Sequence, residues 1–133
     1  MHWPDLNMFD NFGTGPVYCQ AKLANLLFTR ELARRVGKDG VVAQAMHPGR
    51  VASNFASHGD TQMRTYMETY ADTPPSEPAE TIVWMATDPE GRREPGRYFH
   101  AKAAVDPAPQ ALDDEAARRL WSETERMLAA IEG

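Results

Sequence analysis

One stretch constrains the fold of this sequence more than any other. A helical pattern runs from about Val17 to Val36, is closed by Gly37, and is soon followed by a short apolar run, Val41-Val42-Ala43-Gln44-Ala45-Met46. Leu23, Leu26, Leu27, Phe28, Leu32, Ala33 and Val36 give the helix an apolar face wider than one side of a sheet requires. It reads as a deeply buried helix, or as one packing on a sheet with one side and on a partner with another. Arg34 and Arg35 suit the negative end of its dipole, and Gly37 sits where helices end. The apolar run starts with β-branched residues, as in a strand buried on both faces of a parallel sheet, and Pro48-Gly49 ends it.

The rest of the chain alternates in the same way. Residues 1–16 are rich in Pro, Gly, Asn and Asp and read as a loop. Residues 54–75 are polar and turn-rich, with a short helix expected over Thr61 to Tyr70. Met63, Tyr66, Met67 and Tyr70 share one face of it, which suits either an apolar lid or a small helix covering a core. Ser76 reads as an N-cap, with Pro78 in the first turn, for a helix to about Thr87. Gly96 to His100 is a strand candidate, residues 101–112 a surface loop, and Asp113 or Asp114 the cap of a last helix. In that helix Ala117, Leu120, Trp121, Thr124, Met127, Leu128 and Ile131 keep helical spacing. Helix, strand, helix, strand, helix implies α/β with a parallel sheet. Two strands are too few for a sheet that must be covered on both faces. The 133 residues therefore read as one partial domain, with 17–53 and 76–133 flanking a lid at 54–75.

Composition removes several function classes. Fourteen Lys and Arg against nineteen Asp and Glu leave a net charge of −5, without the basic cluster that nucleic acid requires. No apolar stretch approaches the ~20 residues of a membrane span, and Met1 to Asp10 lacks the pattern of a secretory leader. The expected compartment is the cytoplasm. Cys19, the single cysteine, excludes an intrachain disulfide. His2, His47, His58 and His100 lack ligand spacing, so no metal site is expected. Glu68, Asp72, Glu77 and Glu80 read as solvated acidic surface, and Trp84 and Trp121 as core.

Two features suit chemistry. Tyr18 and Lys22 stand four residues apart at the start of the long helix, on one face. A free phenol ionises near pH ~10, and a neighbouring ammonium favours its phenolate. The spacing alone is common and proves nothing. The second feature is the end of the strand candidate, His47-Pro48-Gly49-Arg50-Val51-Ala52-Ser53. Ligands of open parallel sheets bind beyond the carboxyl ends of strands. A glycine there allows close backbone approach, though a plain turn has the same composition.

Together, YCQAKLANLLFTREL (Tyr18 to Leu32) and VVAQAMHPGRVAS (Val41 to Ser53) closely resemble the short-chain dehydrogenase/reductase superfamily. The nearest branch is that of the retinol dehydrogenases and WW-domain oxidoreductases. Asp5-Leu6-Asn7, Gly96-Arg97-Tyr98-Phe99 and the tail from Gln110 to Trp121 also resemble that branch. The likeness extends over essentially the whole chain. It implies the C-terminal half of a Rossmann-type doubly wound parallel sheet, a three-layer αβα fold, in truncated form. Tyr18 matches the family's catalytic acid/base, and Lys22 the lysine that assists it and bonds the nicotinamide ribose. Pro48, Gly49 and Val51 match the segment lining the nicotinamide of NAD or NADP. Ser53 stands where the family usually has a threonine near the carboxamide. Cys19 and Ala21 replace the branch's frequent Gly and Ser at non-catalytic positions.

The resemblance also implies parts that these residues do not contain. No glycine-rich phosphate loop, NNAG-type segment or catalytic asparagine occurs. No serine lies among residues 1–17, and Thr14, on the expected loop, is not taken as a substitute. The resemblance therefore implies an oxidoreductase fragment acting nominally on an alcohol/carbonyl pair, of lipophilic character if the lid is apolar. It would be inactive alone, and active with a complementing N-terminal half. The alternative is a non-catalytic remnant, or an interaction module that forms a homodimer through helix 17–36.

Overall fold

The computed structural model describes residues 1–132, and the side chains among them other than those of His58 and Glu132. The chain divides into two compact units. The first comprises Met1–Ala45, Glu94–Tyr98 and the chain from Asp106 onward; the second comprises Met46–Arg93 and Phe99–Val105.

The first unit is built on two helices, α1 (Thr14–Val36) and α4 (Asp114–Glu132). The sequence places Thr14-Gly15-Pro16 in a loop, but α1 begins at Thr14. Proline is accommodated because the first four helical N–H groups have no intrahelical acceptor. The other end differs too. Gly37 stays right-handed (φ −59°) and leads into a 3-10 turn, and the left-handed stop falls on Gly40 (φ 77°). Asp113 caps α4, its Oδ1 accepting from the N–H groups of Glu115 and Ala116, both at 2.9 Å. Leu27, wholly buried, meets Ala117 and Leu120 of α4, and Met1, Trp3, Leu6, Leu23 and Ala24 surround them. The Phe28 and Trp121 rings stack 5.5 Å apart, and the Arg35 guanidinium lies over the Trp121 ring, 4.3 Å from its centroid. Trp3, inscrutable in the sequence, packs on this core beneath the Arg119 guanidinium. The apolar stripes are only half used: Phe28 is 49% exposed and Ile131 81%.

Glu31 is the unexpected member of this unit. It is only 2% exposed, between Arg34 and Arg35 one turn on, which bond its oxygens at 2.6–2.9 Å. The Arg34 bond first, then Arg35, holds its carboxyl down at about 2 despite the opposing effect of burial.

The second unit holds α2 (Thr61–Tyr70) and α3 (Ser76–Thr87), both at the expected positions. Asp60 caps α2 through Met63 N–H at 2.8 Å. Ser76 does not cap α3: Pro75 occupies the N-cap, without a side-chain bond, and Ser76 is the first helical residue. Trp84 of α3 meets Phe99 edge-on at 5.5 Å.

A small mixed sheet has strand order β1-β2-β3, from β1 (Ala45–Met46), β2 (Tyr98–His100) and β3 (Ala103–Ala104). The bonds Gly96 N→Ala43 O, Ala45 N→Arg97 O and His47 N→Phe99 O step forward along both chains, the mark of parallel pairing. The long buried strand expected over Val41 to Met46 is thus shorter than read, and Val41 and Val42 are exposed. β3 was illegible in the sequence. It pairs antiparallel with β2 through Phe99↔Ala104 and His100↔Ala103. Ala101 and Lys102 make the turn with positive φ, a conformation usually signalled by Asn-Gly. The architecture is mixed α/β, with helix dominant.

Two stability outcomes follow from the first unit. Leu27→Ala should lower unfolding free energy by about 2–5 kcal/mol in urea melts, because it empties a site with no solvent access. Glu31→Gln should cost about 1–3 kcal/mol at neutral pH. Since folding lowers the Glu31 pKa from 4.5, its contribution is complete above that pH and lost as pH falls toward 2. The gap between wild type and Glu31→Gln should therefore narrow across that window.

Candidate active site

α1 carries the first group of candidate residues. Thr14, Tyr18 and Lys22 stand on successive turns, so the helix gives them one face. The Lys22 Nζ lies 5.3 Å from the Tyr18 ring centroid, within the range of a cation–π contact. Tyr18 is 40% exposed and Lys22 is exposed, so the pair is open to an incoming reactant. Cys19, between them in sequence, is also exposed.

The second group lies in the other unit, on the segment that leaves β1. Gly49 is left-handed (φ 81°), and a Cβ there would stand 2.8 Å from Thr73 Oγ1. The missing side chain thus makes room for Thr73. Val51 forms a parallel bridge with Thr73, and Ala52 N–H donates to Thr73 O at 2.9 Å. The Ser53 hydroxyl accepts from Phe55 N–H at 3.4 Å, capping the 3-10 turn Asn54–His58, and keeps its own proton to donate.

Folding also gathers groups that the sequence left scattered. His47 directly follows β1 and His100 ends the neighbouring β2, and their rings approach to 5.3 Å. His100 Nδ1 stands 3.0 Å from the His47 carbonyl oxygen and donates to it in the tautomer that carries the proton there. Burial, then the charge of His100, lowers the His47 pKa below its usual 6.5. The two rings join Pro48, Thr73, Glu80 and Lys102 around a cleft of about 300 Å³. Lys102 is paired with Glu80 at 3.3 Å. The signal that could have found the histidines was their shared position at the carboxyl ends of strand candidates. Among the described residues no group of three or more His, Cys, Asp or Glu is arranged to hold a metal ion. Among them, too, no helix is long and apolar enough to cross a membrane.

Several known proteins are similar to this chain. The chain is 35% identical to human retinol dehydrogenase 13 over 124 residues, which is 88% of this chain and 38% of that protein. It is 33% identical to human retinol dehydrogenase 14 over 137 aligned positions, 98% of this chain and 40% of that protein. It is 36% identical to the human WW domain-containing oxidoreductase over 115 residues, 84% of this chain and 27% of that protein. Its homologues are thus oxidoreductases of the short-chain dehydrogenase/reductase family. In particular they are retinol dehydrogenases and the WW domain-containing oxidoreductase, the branch that the Tyr18–Leu32 and Val41–Ser53 motifs resemble. The chain spans 40% or less of the length of each of these three relatives. No family model and no solved structure matches it.

The histidine pair gives a direct test. By NMR titration His47 should show a midpoint below 6.5, moving upward in His100→Ala. Because the fold lowers this pKa, the neutral ring is favoured in the folded state. Its contribution to stability is complete above pH 6.5 and declines as the solution is acidified below it.

Proposed function

We propose that this chain is the C-terminal, substrate-side half of a Rossmann-type NAD(P)-dependent oxidoreductase acting on an alcohol/carbonyl pair. Tyr18 is its acid/base, passing a proton to or from the substrate oxygen. Lys22 lies beside the ring and offsets the negative charge that the phenolate carries while the proton is away. A bound nicotinamide would supply or accept the hydride. Lys22 would hold its ribose, Ser53 would donate to its carboxamide, and Pro48, Gly49 and Val51 would line it. Residues 54–72 are the substrate lid. The observation that carries this reading is the Lys22 ammonium seated over the Tyr18 ring on a half-exposed helix turn. The hydroxyl of Ser53, still able to donate, is compatible with the group. The retinol dehydrogenases among the relatives favour a lipophilic alcohol or aldehyde.

The same 133 residues hold no glycine-rich loop to cradle a pyrophosphate. In our reading the chain alone binds neither NADH nor NADPH and turns nothing over. A complementing half supplies the phosphate site and a strand beside β1, which is an edge of the sheet preceded by the exposed Val41 and Val42. A second reading, a non-catalytic module that dimerises through α1, is favoured by the exposure of Phe28 on that helix.

Calorimetry with NADH and NADPH on the purified chain should show no binding. Fused behind the nucleotide-binding portion of retinol dehydrogenase 14, the chain should reduce a lipophilic aldehyde. Tyr18→Phe should cost that fusion about 10²–10⁴-fold in kcat. Activity unaffected by Tyr18→Phe would remove the assigned role. A light-scattering mass of twice the chain, halved by Phe28→Glu without turnover in the fusion, would favour the second reading.

A further inference from the structure

The segment after the Pro48-Gly49 turn leaves as a loop of some twenty residues and returns to its starting point. Its two ends are joined by more than backbone. Asp72 and Thr73 N–H groups both donate to Arg50 O, at 3.1 and 3.2 Å. Val51 bridges Thr73, and Thr73 Oγ1 fills the space that Gly49 leaves beside its Cα. The Arg50 side chain then crosses the same seam. Its Nη2 donates to Asp72 Oδ2 at 2.7 Å, and its guanidinium lies 6.0 Å from the Tyr70 ring centroid. Tyr66 and Tyr70 face one another on α2 at 4.9 Å. One side chain therefore links the returning end of the loop, at Asp72, to the Tyr70 ring of α2, against which Tyr66 packs.

We propose that Arg50 is a positioning residue, a clasp that holds α2 over the base of the 54–72 loop and so sets how readily that loop opens. Arginine suits this task because its planar fork pairs with a carboxylate while its face lies on a ring; lysine offers only the charge. Arg50 and Asp72 are substantially exposed, so the clasp is a light one and is weakened by salt. That is what a loop that must open requires. As a gate to substrate, the clasp rests on the reading of 54–72 as a lid; as a mechanical element it stands on the contacts alone.

Hydrogen exchange read by mass spectrometry on the whole chain separates the two. In Arg50→Ala, peptides covering 54–70 should exchange about fivefold faster, with α1 and α4 peptides unchanged. Asp72→Asn should reproduce part of this, and the double variant should add little to Arg50→Ala, because both remove one contact. Arg50→Lys should fall between. Unchanged exchange over 54–70, or equal acceleration throughout the chain, would overturn the clasp. Retinol fluorescence provides the second arm. Binding by wild type that weakens in Arg50→Ala supports the gate. Faster loop exchange in Arg50→Ala with retinol binding unchanged would keep the clasp and remove the gate.

Discussion

The burial of Leu27 between α1 and α4 is the interaction on which the first unit depends. Tyr18 and Lys22 share a face only while α1 is a rigid helix. A helix in water needs tertiary packing more than intrinsic propensity to persist. Leu27, wholly buried with Ala117 and Leu120 against it, supplies that packing. Glu31, one turn further on, is held by two arginines on the same helix, which keep its charge. The helix bearing the catalytic candidates is thus fixed by an apolar contact and trimmed by a local ionic one.

The second unit is organised around a backbone seam. Gly49 adopts a left-handed conformation at the point where Thr73 comes closest, and Val51 and Ala52 continue the pairing. The seam leaves the residues between Ser53 and Asp72 as a closed loop with its own capped helix. A loop tied at its base and light in buried contacts can open without unfolding its surroundings. The cleft lined by His47, Thr73 and His100 lies along that same seam. The pairing of strand ends that gathers the histidines and the pairing that ties the loop are both short backbone ladders. Such ladders are cheap to form locally but invisible to side-chain patterning.

Much of the helical content was legible. α2 falls where the spacing of Met63 and Met67 puts it, and α3 starts with Ser76 and ends at Thr87, as Pro78 in its first turn allows. α4 begins after Asp113, whose carboxylate caps it. The strands were read less well. Val41 and Val42 are β-branched and apolar, yet they lie outside β1 and face solvent, since burial of a strand depends on neighbours that its own sequence cannot specify. β3 was missed because Ala101 and Lys102 make a turn whose usual residues are glycine and asparagine. Of the candidate site, Tyr18 and Lys22 were legible because both lie on one helix. His47 with His100, and Arg50 with Asp72, were not, because each pair is separated by a long stretch of chain.

The sequence by itself determined the local things: the helices, their caps, the four-residue interval between phenol and ammonium, and the kinship with short-chain oxidoreductases that the motifs carry. Each of these depends on residues a turn or two apart, where geometry follows from the backbone. Only the tertiary structure decided that Gly49 makes room for Thr73, that two strand-end imidazoles meet, and that Arg50 reaches Asp72 and the Tyr70 ring of α2. Those contacts depend on where distant segments come to lie, and a chain's local preferences carry no distance of that kind.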